Sequence, residues 1–290
     1  MGFKEKIQKK LENDLSKKEL SLLPSGFQTV GKVIILKLKP ELLDKKELIA
    51  KTCLDMMPYI RSVYLNTGKV KGKFREPEIE YLAGEQNPIV KHKEHGIVFK
   101  FDITKIMFSQ GNLYERKYLP SLVEEGEIIV DMFAGIGYFS LPLGKLSPAR
   151  KIYSIELNPI AYQYLVENIR LNDLEEIIEP IQGDSKEEVL RLSKQGIIAN
   201  RVVMGVFPAP KEFVKPALSL ASESGTVYHY EGVVDRDDYL ELFVEFKEIA
   251  HQVGYKASMV EKRFVKSYGP NLYHTIIDIL VETTKEYNNR

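Results

Sequence analysis

No apolar run in this sequence approaches the roughly 18 to 20 residues that a membrane-spanning helix requires, and the lysine-rich start lacks the apolar segment of a secretory signal. A cytoplasmic protein with no membrane attachment is therefore expected. Cysteine is almost absent: Cys53 alone occurs among 290 residues, which excludes an intrachain disulfide and any multi-cysteine metal centre. It falls in the apolar pattern of a helix, as a buried thiol does. His92 and His95 lie three apart, but no further ligands follow at zinc spacing, so no metal site is expected. Net charge is also absent, yet the zero conceals a division. Residues 1–75 carry 17 Lys and Arg against 8 Asp and Glu, and the remainder carries 24 against 33. A basic module beside an acidic, cofactor-sized one suits an enzyme acting on nucleic acid, because neutralising phosphates supplies most non-specific affinity. A solvated lysine-rich face has the same composition.

The first twenty residues are charged with sparse apolar positions and read as a surface helix or frayed arm. Residues 33–39 then read as a strand, 41–57 as an amphipathic helix and 61–66 as a strand, with further strands at 78–84 and 96–102. This is an α+β accessory domain, expected over residues 1–110. Within it Tyr59 and Tyr64, near Arg61 and Lys69, are of the types that stack on RNA bases, although half of such a strand faces the core. From 111 onward, a helix over 111–123 is followed by strict alternation of strand and helix through "IIVDMF", "KIYSIEL", "IIEPIQG", "RVVMGVF" and "GTVYHYE". Such alternation dictates a doubly wound α/β parallel sheet with right-handed crossovers. After a helix over 236–251 come two strands with no helix between them, which must pair antiparallel. A dinucleotide dehydrogenase would continue its parallel units, so residues 111–290 read as a class I methyltransferase-type catalytic domain.

Open α/β sheets bind ligands beyond the carboxyl ends of their strands, where the strand order reverses. The first such end is "DMFAGIGYF", with Asp131 closing the strand and Gly135 and Gly137 in the turn. Ser140 stands where a dinucleotide fingerprint has its third glycine, and no Lys-Ser/Thr follows, which weakens a pyrophosphate ligand. Glu156, nineteen residues past Gly137, ends the second strand where a carboxylate accepts both hydrogen bonds of a ribose diol. Asp184 and Ser185 end the third, where a carboxylate and its neighbouring backbone read an adenine amino group. Each feature alone also serves as an ordinary turn or helix cap. Together they favour S-adenosyl-L-methionine, a cationic adenosine without phosphates, over a nicotinamide cofactor.

The stretch 74–120, with Arg75, Pro77, His92, Glu94, Gly96, Asp102, Lys105 and "MFSQGN-x-x-ER", runs into "VDMFAGIGYFSLPLGK". Over about residues 70–285 the chain resembles the archaeal and eukaryotic enzymes of the tRNA wybutosine pathway, relatives of the tRNA guanine-37 N1-methyltransferases. The methyltransferase branch carries an "FSPRLSTER"-like stretch and an Asn-Leu-Pro-like loop after the fourth strand. Here Phe108–Asn112 and Met204-Gly205-Val206 take their places. The resemblance implies transfer of a 3-amino-3-carboxypropyl group from S-adenosyl-L-methionine to C7 of 4-demethylwyosine at position 37 of phenylalanine tRNA, with the anticodon arm as partner. It also implies that Ser109 and Arg116 reach the donor. Methyl transfer on the same scaffold is the alternative; a non-catalytic tRNA-binding subunit is another. Two prolines in "VFPAP", residues 206–210, depart from this branch and stiffen the loop facing the target base. His229, Tyr230 and Glu231, at the end of the fifth strand, are of types that could touch substrate or take the C7 proton, but a polar strand end exposed to water has the same composition, and no catalytic residue is assigned.

Overall fold

The computed structural model describes residues 2–68, 70–72 and 74–283, which divide into two units, Met1–Phe108 and Ser109–Arg290. In the first, α1 (Phe3–Lys10) and α2 (Lys17–Leu22) precede β1 (Gln28–Val30), β2 (Val33–Leu36), α3 (Lys46–Met56), β3 (Ser62–Asn66) and β4 (Ile79–Gly84). The sheet order is β1-β2-β3-β4, and β2 runs parallel to β3 because α3 carries the crossover. A hairpin of β5 (Ile89–Glu94) and β6 (Ile97–Asp102) completes the unit. The opening segment is no frayed arm. Its sparse apolar residues Ile7, Leu11 and Leu15 recur every four positions and are 0, 1 and 6% exposed, so they fill the core while the lysines between them stay in water. Cys53 is buried in the same core.

In the second unit, α4 (Leu113–Tyr118) leads to β7 (Ile128–Asp131), α5 (Ser140–Leu146), β8 (Lys151–Glu156), α6 (Pro159–Leu171) and β9 (Ile178–Gln182). There follow α7 (Ser185–Lys194), β10 (Arg201–Met204), α8 (Lys211–Ala217), β11 (Thr226–Asp235), α9 (Tyr239–Gln252), β12 (Tyr255–Gly269) and β13 (Leu272–Thr283). The strand order β12-β13-β11-β10-β7-β8-β9 reverses between β7 and β10. Both pairings of β13 are antiparallel and the remaining neighbours are parallel, as the helix-free tail requires. The helix expected over 111–123 is interrupted: 3-10 turns at Gln110–Asn112 and Leu119–Leu122 flank α4, the second carrying Pro120, which has no amide donor to continue a helix. Along β11 the side chains alternate. Tyr228 and Tyr230 enter the apolar core with Phe246, Ile277 and Ile279, which leaves His229 and Glu231 for the opposite face. No helix of the described residues is long and apolar enough to cross a membrane.

Candidate active site

The reversal point brings three strand ends together. Asp131, the last residue of β7, is fully buried; its carboxylate accepts from Ser140 Oγ at 2.6 Å and from the Phe133 N–H at 3.3 Å, and Ser154 Oγ donates to Ser140 at 2.7 Å. Burial pushes Asp131 up to about 6, the Ser140 and Phe133 bonds oppose the rise, and the carboxylates of Glu156 and Glu231 add to it. Next comes the glycine turn. Gly135 and Gly137 have φ of 57° and 100°, values that side chains resist, and a Cβ on either would lie 2.6 Å from Tyr138 or Leu141. The Gly135 N–H donates to Glu156 Oε2 and the Asn158 N–H to Oε1, both at 2.7 Å. Burial raises the Glu156 carboxyl, and those backbone bonds counter it.

On β9's side, the Gly183 N–H donates to the Glu156 carbonyl at 3.1 Å and aligns the second and third strand ends. Asp184 caps α7, accepting from the Lys186 N–H at 2.9 Å. Ser185, 5% exposed, donates its hydroxyl to the Met132 carbonyl and so fastens the start of α7 to the end of β7. Ser109 and Arg116 form a second group. The buried Arg116 guanidinium donates to the Ser109 carbonyl at 3.0 Å, while Lys266 Nζ, from β12, donates to Ser109 Oγ at 3.3 Å. Two cations thus bracket one serine.

Sequence reading misses the largest polar feature of the unit. His229 and Glu231, expected at a wet strand end, are both 0% exposed and belong to a buried chain of charges. His229 Nδ1 faces Asp278 at 2.9 Å and Nε2 faces Glu231 at 3.3 Å; the other oxygen of Glu231 lies 3.0 Å from His274 Nε2. From Asp278 the chain continues to Arg263 at 2.7 Å, which also grips Glu115 at 2.7 Å and Glu261 at 2.8 Å. Burial acts against the charges of His229, Glu231, Asp278 and Arg263, yet their partners prevail. Asp278 and Glu231 hold His229 up at about 9, and His229 helps hold Asp278 and Glu231 down at about 2. Strand register creates the chain, since His229 pairs directly with Asp278 across β11 and β13. The one signal in the sequence is polar residues at alternate positions of otherwise apolar strands.

Tyr230 points into the apolar core, and its hydroxyl has no hydrogen-bond partner among the described residues. In the first unit Tyr59 is 65% exposed but Tyr64 only 2%, and Lys69 lies outside the described residues. His92 is occupied locally: Nδ1 accepts from the Gly31 N–H at 3.2 Å and Nε2 faces Glu94 at 3.0 Å. His95, at φ 49°, sits in the β5–β6 turn.

Residues 90–258 match the family model of the TRM5/TYW2 methyltransferase domain, and residues 7–87 that of the TYW2 N-terminal domain. The chain is 36% identical over 256 residues to the tRNA(Phe) (4-demethylwyosine(37)-C(7)) aminocarboxypropyltransferase of Methanocaldococcus jannaschii, covering 88% of this chain and 98% of that protein. Among solved structures it resembles Pyrococcus horikoshii TYW2 in complex with MeSAdo, with a TM-score of 0.82, 31% identity, and 97% and 100% of the two chains covered. It also resembles aTrm5 in the complex with tRNALeu, with a TM-score of 0.79, 33% identity, and 97% and 78% covered.

Proposed function

Since the chain belongs to the TRM5/TYW2 methyltransferase family, we propose that it transfers the 3-amino-3-carboxypropyl group of S-adenosyl-L-methionine to C7 of 4-demethylwyosine at position 37 of tRNA(Phe). The observation that carries this reading is end-to-end correspondence: the chain spans 98% of the aminocarboxypropyltransferase but 78% of aTrm5. The residues present suit this donor. The Gly135 turn packs its backbone so closely on Tyr138 that no Cβ fits, and the carboxyl of Asp131, raised first by burial and further by the charges of Glu156 and Glu231, lies in a negative field that favours a cationic ligand and disfavours a phosphate-bearing one.

When bound, the donor supplies a sulfonium that activates each of its three attached carbons. What this chain contributes is aim and hold. Glu156 takes the ribose diol with the lone pairs that Gly135 and Asn158 leave free. Asp184 and the backbone around Ser185 read the adenine, while the Gly135–Gly137 turn admits the donor close to the main chain beside Asp131. Arg116, positioned by Ser109, grips the amino-acid carboxylate and turns that arm toward the acceptor, a matter of approach geometry rather than of a new catalytic group. Residues 111–290 hold the donor, and the basic domain, residues 1–110, presents the anticodon arm in the cytoplasm. One assay tests the reading. Incubation with tRNA carrying 4-demethylwyosine and the donor is expected to accumulate methylthioadenosine; S-adenosylhomocysteine would instead establish methyl transfer, and neither product would leave a tRNA-binding subunit.

A further inference from the structure

We propose that His274 is the proton acceptor of the reaction, its Nδ1 removing the C7 hydrogen of the acceptor base while Glu231 orients the ring through Nε2. The assignment rests on the aminocarboxypropyl reading above. Joining C7 to the donor carbon takes an electron pair from the tricycle, and the carbon–sulfur bond breaks with its pair passing to sulfur. C7 is then left bearing both the new substituent and its original hydrogen on a cationic ring. Restoring the ring requires the C7–H bond to break, its pair to return to the tricycle and the proton to go to a base.

His274 meets the needs of that base. It is 0% exposed, its Nε2 lies 3.0 Å from Glu231, and its Nδ1 has no hydrogen-bond partner among the described residues. A buried imidazole nitrogen without a partner is costly, and a protein carries that cost at a working position more readily than at an idle one. With Nε2–H donating to the carboxylate, the tautomer is fixed and the lone pair sits on Nδ1; protonation there yields an imidazolium facing Glu231, the logic of a carboxylate-oriented histidine base.

Its place in the fold is also right. β11 outruns β10, whose last residue Met204 pairs with Tyr230, whereas His274 pairs with Val233 three residues further along. The ring therefore stands beyond the carboxyl end of β10, under the loop that follows. Phe207 of that loop meets His274 edge-on, with ring centroids 4.4 Å apart. Entry of the flat acceptor displaces Phe207 and brings C7 to Nδ1. His229, locked between two carboxylates, has neither ring nitrogen available and holds Glu231 in place.

The test compares single turnovers on tRNA carrying 4-demethylwyosine with hydrogen or deuterium at C7. His274→Gln keeps an N–H donor for Glu231 and lacks the basic nitrogen. It is expected to lower the rate about 10²-fold and to unmask a primary isotope effect absent from wild type, with tRNA and donor affinities unchanged. A second measurement needs no variant and no ligand: nitrogen-15 NMR of the free protein is expected to find the His274 proton on Nε2 and none on Nδ1. A variant rate and isotope effect indistinguishable from wild type, or a protonated Nδ1 in the free protein near pH 8, overturns the assignment alone. Wild-type protein that forms S-adenosylhomocysteine overturns the aminocarboxypropyl reading and the assignment with it.

Discussion

Replacing Arg263 by Met isolates what the buried charges contribute to stability. The guanidinium is 10% exposed and bonds three carboxylates, with Glu115 and Asp278 almost fully buried. Methionine fills similar space but leaves the buried Glu115 without its cation and Asp278 with His229 as its remaining one, and removing one partner of a buried pair costs about 3–5 kcal/mol. For a unit of this size each kcal/mol moves the midpoint by about 2–4 °C, so a fall of roughly 6–20 °C near pH 7 is expected in calorimetry. The sign of its pH dependence gives a second check. In the wild type the hydrogen bond and charge of His229, and then those of Arg263, overcome burial and hold Asp278 down at about 2. Without Arg263 the folded state gains by protonating an orphaned carboxyl, so the deficit relative to wild type narrows as pH falls from 7 toward 5. A shift near zero, or a deficit that stays constant with pH, would refute the view that charge pairing rather than packing is at stake.

Glu156→Gln places an amide donor against either the Gly135 or the Asn158 N–H, and donor affinity is expected to drop about 10- to 100-fold in titration calorimetry, as for a lost charge-assisted bond. His229 has its folded value raised to about 9, so its contribution is complete below its ordinary value of 6.5 and disappears as pH rises through about 9. The difference in Tm between wild type and His229→Gln should shrink across that window. Burial pushes the Cys53 thiol up to about 12, and a disulfide reagent should react only as fast as the first unit opens, with denaturant accelerating the reaction.

The second unit was legible because its strands are short apolar runs at regular distance, separated by helices, and because a helix-free tail allows only antiparallel closure. The carboxylates at three strand ends were legible for the same reason: chain order alone puts them at one edge. Two classes of feature were hidden. β1 has three residues, and β5 follows the turn-forming Gln86-Asn87-Pro88 so closely that its alternation, "IVKHKE", is lost among exposed lysines. The charge chain was hidden because its members, 49 residues apart at His229 and Asp278 and 148 at Glu115 and Arg263, meet only through strand pairing and the placement of α4. Polarity at a strand end suggested water, whereas mutual neutralisation let it be buried.

The helical opening of the first unit bears on how its positive charge can be studied. Ile7, Leu11 and Leu15 are core residues, so clipping the leading segment to weaken an electrostatic attraction would also unplug the hydrophobic interior, and a loss of RNA retention could not be attributed to charge. Reversing Lys6, Lys9, Lys10, Lys17 and Lys18, whose side chains lie on the wet face, changes the field and spares the fold.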